Sequence, residues 1–177
     1  MSTPPAAAPR LQGKFIYIYS FLDVRESDFG PRFLDQIDAQ LIADLKKGGA
    51  HAKVLRFKNS QTGQYYAFGR NVPMRGSMQT SDQVPVNETV RSNLSDEALA
   101  GANYRLIIFP SNFEQMGAGQ VYQIRFVLID CATNKTVWQT FYVGKHLTWW
   151  KNDEGAQGRA KKLTDEIVAK MTAAGYL

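Results

Sequence analysis

The sequence is short of the side chains that do chemistry. There is one cysteine, Cys131, in 177 residues. A single thiol forms no internal disulfide and cannot supply a multi-cysteine zinc or iron–sulfur site. There are only two histidines, His51 and His146, and they fall on separate predicted strands. Ordinary surface or edge histidines are expected there rather than metal ligands. No run of 18 apolar residues exists, which excludes a hydrophobic transmembrane helix. The sequence also lacks a G-x-S-x-G elbow, a P-loop and a G-x-G-x-x-G turn. Gly117-Ala118-Gly119 has neither the length nor the following helix of a phosphate loop.

What is present is the make-up of a packed globular chain. Hydrophobic residues are 44% and charged residues 21%, enough apolar surface for a full core. The length fits one domain. The formal charge of +5 favours anionic surroundings at the level of encounter and solubility, not of fold. Residues 1–13 read as a flexible tether and 14–177 as a single domain. The opening Met1–Pro9, MSTPPAAAP, has no basic n-region and no apolar h-region, so it is not a signal peptide. Its Pro/Ala/Ser/Thr composition suits a stretch following a removed signal, with a native cytoplasmic start as the alternative.

Phe15–Phe21 (FIYIYSF) is a β-branched and aromatic run of strand length. Phe15, Tyr17, Tyr19 and Phe21 fall on one face, Ile16 and Ile18 on the other. Gly30-Pro31 opens a helix whose stripe is Phe33, Leu34, Ile37, Leu41 and Leu45, and Gly48-Gly49 stops it. Ala52–Lys58 is a second strand, with Val54, Leu55 and Phe57 as its core candidates. Residues 59–87 are rich in Gly, Ser, Gln, Asn and Pro, either a functional loop or a segment with an extra strand near Tyr65–Phe68. A weak helix near Ser95–Ala100 follows, capped by Ser95.

Tyr104–Phe109 is a third strand, halted by Pro110, and Ser111–Gly119 is a loop. Val121–Asp130 alternates with Tyr122, Ile124, Phe126 and Leu128 on one face. Ala132–Lys135 is a tight turn with Asn134 left-handed, and Thr136–His146 returns as the partner strand. Asn152 caps a last helix with the stripe Ala160, Leu163, Ile167, Val168 and Met171, ended by Gly175. The order β-α-β-α-β-β-β-α predicts an α/β two-layer sandwich. Its mixed five-stranded sheet carries helices on one face, and its first two strands are parallel.

At the hairpin, the run from Leu128 through Asp130, Thr133, Asn134, Lys135 and Val137 to Trp138 resembles a pattern of bacterial envelope lipoproteins. There a hydrophobic strand ends in Asp, a Thr-Gly/Asn-Lys turn follows, and the return strand carries an aliphatic residue and then Trp. Gly101–Leu106 resembles the strand entry of the same proteins. The element order over 14–177 is similar to the TolB amino-terminal domain and to the peptidoglycan-synthase-activator and curli-secretion lipoproteins. The resemblance implies a non-catalytic domain of the periplasm or outer membrane that binds a protein partner in the envelope or self-associates. It implies a lipid anchor if the native N-terminus carries a lipobox, and a cytoplasmic protein otherwise.

No enzyme, cofactor or metal is expected. Asp23, Glu26 and Asp28 lack the glycine and distal glutamate of a calcium loop and read as helix-entry caps. Cys131 has no basic neighbour in sequence and reads as a structural thiol. Asp165 and Glu166 read as the solvated face of the last helix. Two segments are the partner-binding candidates. The first is the loop bearing Tyr65, Tyr66, Phe68, Arg70, Met74 and Arg75, an aromatic-plus-arginine composition that binding hot spots use. The second is Trp149-Trp150, which do not readily share one pocket. The alternative function is nucleic-acid binding, with Tyr17, Tyr19, Tyr104 and Arg105 stacking bases on the sheet.

Overall fold

The computed structural model describes residues 9–22, 31–57, 86–116, 119–147 and 155–177. Five strands form one sheet in the order β2-β1-β3-β4-β5. The strands are β1 (Phe15–Ser20), β2 (His51–Arg56), β3 (Tyr104–Met116), β4 (Gly119–Asp130) and β5 (Lys135–Leu147). The helices are α1 (Pro31–Lys47), α2 (Val86–Leu99) and α3 (Gly155–Ala173). Strand β1 is parallel to both β2 and β3, and β3, β4 and β5 form an antiparallel meander. The expected mixed five-stranded α/β sheet is therefore present, with the first two strands parallel through α1.

Alternation along each strand divides the apolar residues between two cores. Ile16, Ile18, Leu106, Ile108, Ile124, Phe126 and Leu128 face the side where α1 and α3 bury Phe33, Ile37, Leu41, Leu45, Leu163, Ile167 and Met171. Tyr17, Tyr19, Phe21, Phe57, Ile107 and Phe109 face the other side and form a second cluster. Helix α2 lies on that second side, with Val86 and Val90 packed on the cluster. The expectation of helices on one face thus holds for the two strongly striped helices and not for the third. The reason is visible in β1, whose Phe-Tyr-Tyr-Phe face is too apolar for a sheet to leave in water.

Three local expectations are corrected. Helix α2 starts at Val86, not near Ser95, which lies inside it; its polar sequence carries almost no stripe to read. Strand β3 does not stop at Pro110 but runs to Met116, so most of 111–119 is strand rather than loop. Proline is tolerated there because β1 pairs with β3 only as far as Ile108, and the β3–β4 register shifts between Pro110 and Asn112. Proline is confined to such edges and bulges. The tether over residues 1–13 gives way over its last five. Leu11 is fully buried, and the Arg10 and Leu11 amides donate to the Gly175 and Tyr176 carbonyls.

The turn after β4 is as expected. Asn134 adopts φ of 55°, and the Ala132 and Thr133 amides donate to Asp130 Oδ1 at 2.8 and 3.1 Å. Asn152 lies outside the described residues, as do Asp23, Glu26 and Asp28.

Candidate functional site

Strands β4 and β5 form the outer end of the sheet, and their two faces are used differently. Tyr122, Ile124, Phe126, Leu128 and Tyr142 are buried beneath α1 and α3. The alternate residues stand on the opposite face, in the cross-strand pairs Val127–Gln139, Arg125–Phe141, Gln123–Val143 and Val121–Lys145. Val137, Phe141 and Val143 are 40, 49 and 50% exposed. No described helix packs across them; among the described side chains, Lys170 of α3 reaches the strip, its ammonium 5.8 Å from the centre of the Phe141 ring. Large apolar side chains repeated along one exposed face are unusual for a monomer and mark an interaction surface.

The face is shaped as well as apolar. A hollow of about 290 Å³ is lined by Arg125, Gln139, Thr140 and Phe141. Arg125, itself exposed, stands directly across from Phe141. The charged residues that alternation places on this face, Arg125 and Lys145, are both cations.

The free edge of β5 is protected where the face is not. Lys170 of α3 donates to the Phe141 carbonyl at 2.9 Å, and the Tyr176 hydroxyl donates to the Val137 carbonyl at 2.9 Å. Side chains that occupy edge carbonyls block the addition of a further strand. Contact is therefore directed to the face.

A second constellation lies where α2 meets β1, β3 and the turn after β4. Arg105 donates to both oxygens of Glu97, from Nε at 2.8 Å and from a terminal nitrogen at 2.6 Å. The Tyr19 hydroxyl donates to the same carboxylate at 2.8 Å and the Cys131 thiol at 3.3 Å. Arg105 also donates to Asn134 Oδ1 at 3.1 Å. Burial pushes the Glu97 carboxyl up, but the Arg105, Tyr19 and Cys131 hydrogen bonds outweigh it and hold it below its ordinary range. Burial and the Glu97 hydrogen bond push the Cys131 thiol up to about 12. Tyr19 is raised for the same two reasons.

A cleft of about 500 Å³ opens beside this network, lined by Lys14, Leu94, Glu97, Asn103 and Cys131 among others. Its carboxylate is already saturated with donors, and its thiol is protonated at neutral pH. These groups tie the helix to the sheet and are not poised as base or nucleophile. Alkylation of native Cys131 by iodoacetamide near neutral pH is expected to run roughly 10³-fold slower than for a thiol at its ordinary value, following the loss of thiolate. A rate equal to that of a free cysteine would contradict the assignment.

The sequence candidates fall as follows. Tyr65, Tyr66, Phe68, Arg70, Met74, Arg75, Trp149 and Trp150 lie outside the described residues. Tyr17 and Tyr19 are fully buried, with their hydroxyls donating to Asp96 and Glu97, and Arg105 is buried against Glu97. The nucleic-acid reading of these sheet residues is overturned, because a base cannot stack on rings that already form a core. His51 is exposed on the outer strand β2, while Cys131 follows β4, with β1 and β3 between. Asp165 and Glu166 make surface pairs with Lys161 and Lys170, as their solvated-face reading required. Among the described residues no group of His, Cys, Asp and Glu is arranged to hold a metal. No described helix is long and apolar enough to cross a membrane.

Two features escaped sequence reasoning. The open face had a signal in Val137, Phe141 and Val143, which leave β5 apolar on the side away from Trp138 and Tyr142. Glu97 had none, since an acidic residue in a polar helix reads as solvated.

No known family model matches the sequence, and no curated protein matches it. Solved structures with a similar chain path include PelC from Paraburkholderia phytofirmans, described as a dodecamer. It is 16% identical, with 97% of this chain and 95% of that one covered and a TM-score of 0.48. Lipoprotein GNA1162 from Neisseria meningitidis is 12% identical over 90% of this chain and 99% of that one, with a TM-score of 0.45. A minor lipoprotein from Acinetobacter baumannii is 9% identical over 91% and 92%, with a TM-score of 0.40. The solved structures that this chain is similar to thus include bacterial lipoproteins, and none of these three is described by an enzymatic activity.

Proposed function

We propose that the chain is a non-catalytic interaction domain of the bacterial cell envelope that assembles with a second copy of itself through the open face of β4 and β5. The observation that carries this reading is the exposed strip Val137, Phe141 and Val143 on a face across which no described helix packs. The envelope setting is supported by the lipoprotein-like hairpin Leu128–Trp138.

A second copy fits because the face carries both halves of a contact. Phe141 projects beside a hollow of about 290 Å³ that Arg125 lines. A two-fold axis between them seats each ring in the partner's hollow, against the partner's Arg125. Guanidinium over an aromatic face is a favourable pairing that needs no buried carboxylate.

Sedimentation of the wild type and of Phe141→Asp tests the reading. Loss of a central aromatic anchor is expected to weaken association at least about 30-fold. Phe141 is half exposed, so the variant should stay folded at a cost of about 1–2 kcal/mol, checked by urea denaturation. A wild-type chain that stays monomeric at every concentration overturns the proposal, as does association that Phe141→Asp leaves intact.

A further inference from the structure

Helix α2 is built unlike the other two. Its one fully buried residue is Glu97, a carboxylate, where α1 and α3 bury stripes of Leu, Ile, Phe and Met. Leu94 and Leu99 point outward, 45 and 87% exposed. Its sequence, VNETVRSNLSDEAL, is rich in β-branched, Ser, Asn and Asp residues that favour helix poorly. Ser92 and Asn93 bond back to the Glu88 and Thr89 carbonyls, a habit that slightly weakens helices. The helix is therefore held down by Val86 and Val90 on the cluster and by a set of polar contacts: Glu97 to Arg105 and Tyr19, and Asp96 to Tyr17 and Lys53.

Beneath it lies the aromatic cluster of Tyr17, Tyr19, Phe57, Ile107 and Phe109, which continues outward onto Val127 and Ile129 of β4. The cluster and the open β4–β5 surface are one side of one sheet. Gly101, at φ of 70° with open space around it, lies just past the end of α2. The chain is clamped again at Asn103, whose amide donates to the Phe15 carbonyl and whose side chain accepts from the Phe15 amide. The pivot is thus confined to a few residues.

We infer that α2 is a releasable cover, latched by the Glu97–Arg105 pair and hinged at Gly101, whose lifting extends the open β4–β5 face across β3 and β1. This rests on the interaction reading for its purpose but not for its test. Regions held by few apolar contacts open locally before the whole fold does.

Hydrogen exchange read by mass spectrometry, with the protein dilute enough to be monomeric, decides the matter. In the wild type, amides of α2 are expected to exchange at least tenfold faster than those of α1 and α3. Glu97→Gln should speed α2 by a further tenfold or more, well beyond any change that lower global stability brings to α1 and α3, and increase the binding of an apolar fluorescent dye. Tyr19→Phe, which keeps the ring and removes one donor to the latch, should act in the same direction and more weakly, so a failure of Glu97→Gln to fold leaves the test intact. Exchange of α2 in step with α1 and α3 in both variants would overturn the cover. Because association plays no part in these readings, a missing cover and a missing docking face are told apart: Phe141→Asp should not alter α2 exchange.

Discussion

Gly144→Ala is expected to cost about 3 kcal/mol of stability, a large penalty for one added methyl group. Gly144 sits in β5 directly opposite Tyr122 of β4. A Cβ built there would fall onto the Cζ, hydroxyl and Cε2 atoms of Tyr122. The tyrosine ring lies across the glycine, covering backbone that would otherwise be bare in the core. It has nowhere to retreat, being 2% exposed and in contact distance of Phe33 and Tyr142, with ring centroids 6.4 and 6.3 Å away. Urea denaturation should show a lower midpoint with an unchanged slope.

Tyr122→Leu alone leaves a cavity and should cost a further 2–4 kcal/mol or so. The double variant should be more stable than the sum of the two losses by about 1 kcal/mol or more, since the leucine vacates the space the new methyl needs. Strict additivity would mean that the clash is relieved by the β5 backbone and not by the ring.

This pair also shows where sequence reading ends. The alternation of Tyr122, Ile124, Phe126 and Leu128 is a period that a strand imposes, so the buried face of β4 was legible before any coordinates. The same holds for the helix stripes of α1 and α3, for the parallel β1–β2 pair and for the left-handed Asn134. Each is a local rule or a one-step crossover. The Tyr122–Gly144 stacking is a register fact, set by a hairpin with a bulge between Leu128 and Ile129, and no local rule supplies it.

The side of the sheet on which α2 lies was hidden for a related reason. A polar helix with one buried carboxylate has no apolar periodicity to report its orientation. The open face was half legible. Val137, Phe141 and Val143 alternate clearly, but whether that side is covered depends on where the helices pack, which is long-range information. The loop and tryptophan candidates rest on composition, which ranks stickiness without placing it, and they lie outside the described residues; a comparable composition, Phe141 beside Arg125, stands on the sheet.

Arg105→Met is expected to cost about 3 kcal/mol at neutral pH, and its pH dependence should run opposite to that of the wild type. Arg105 and Glu97 are 6 and 5% exposed, and removing one member of a buried pair leaves the other uncompensated. In the wild type the Glu97 carboxyl is held below its ordinary value of 4.5. Its contribution is therefore fully present above 4.5 and is lost as pH falls through its lower folded-state value. Without Arg105, burial has no cation to oppose it and raises the Glu97 carboxyl above 4.5. The protonated form is then the stable one, and stability falls as pH rises through the raised value. Wild type should weaken in acid, while Arg105→Met should gain relative to it. Glu97→Leu and Tyr19→Phe combined with Arg105→Met should return to within about 1 kcal/mol of the wild type at neutral pH, because apolar side chains replace both charges and the buried hydroxyl that donates to Glu97, and leave none stranded. Denaturation of the three proteins at neutral pH and in mild acid tests all of this at once, and a wild type and Arg105→Met with parallel pH profiles would mean that the pair carries no charge coupling across the latch.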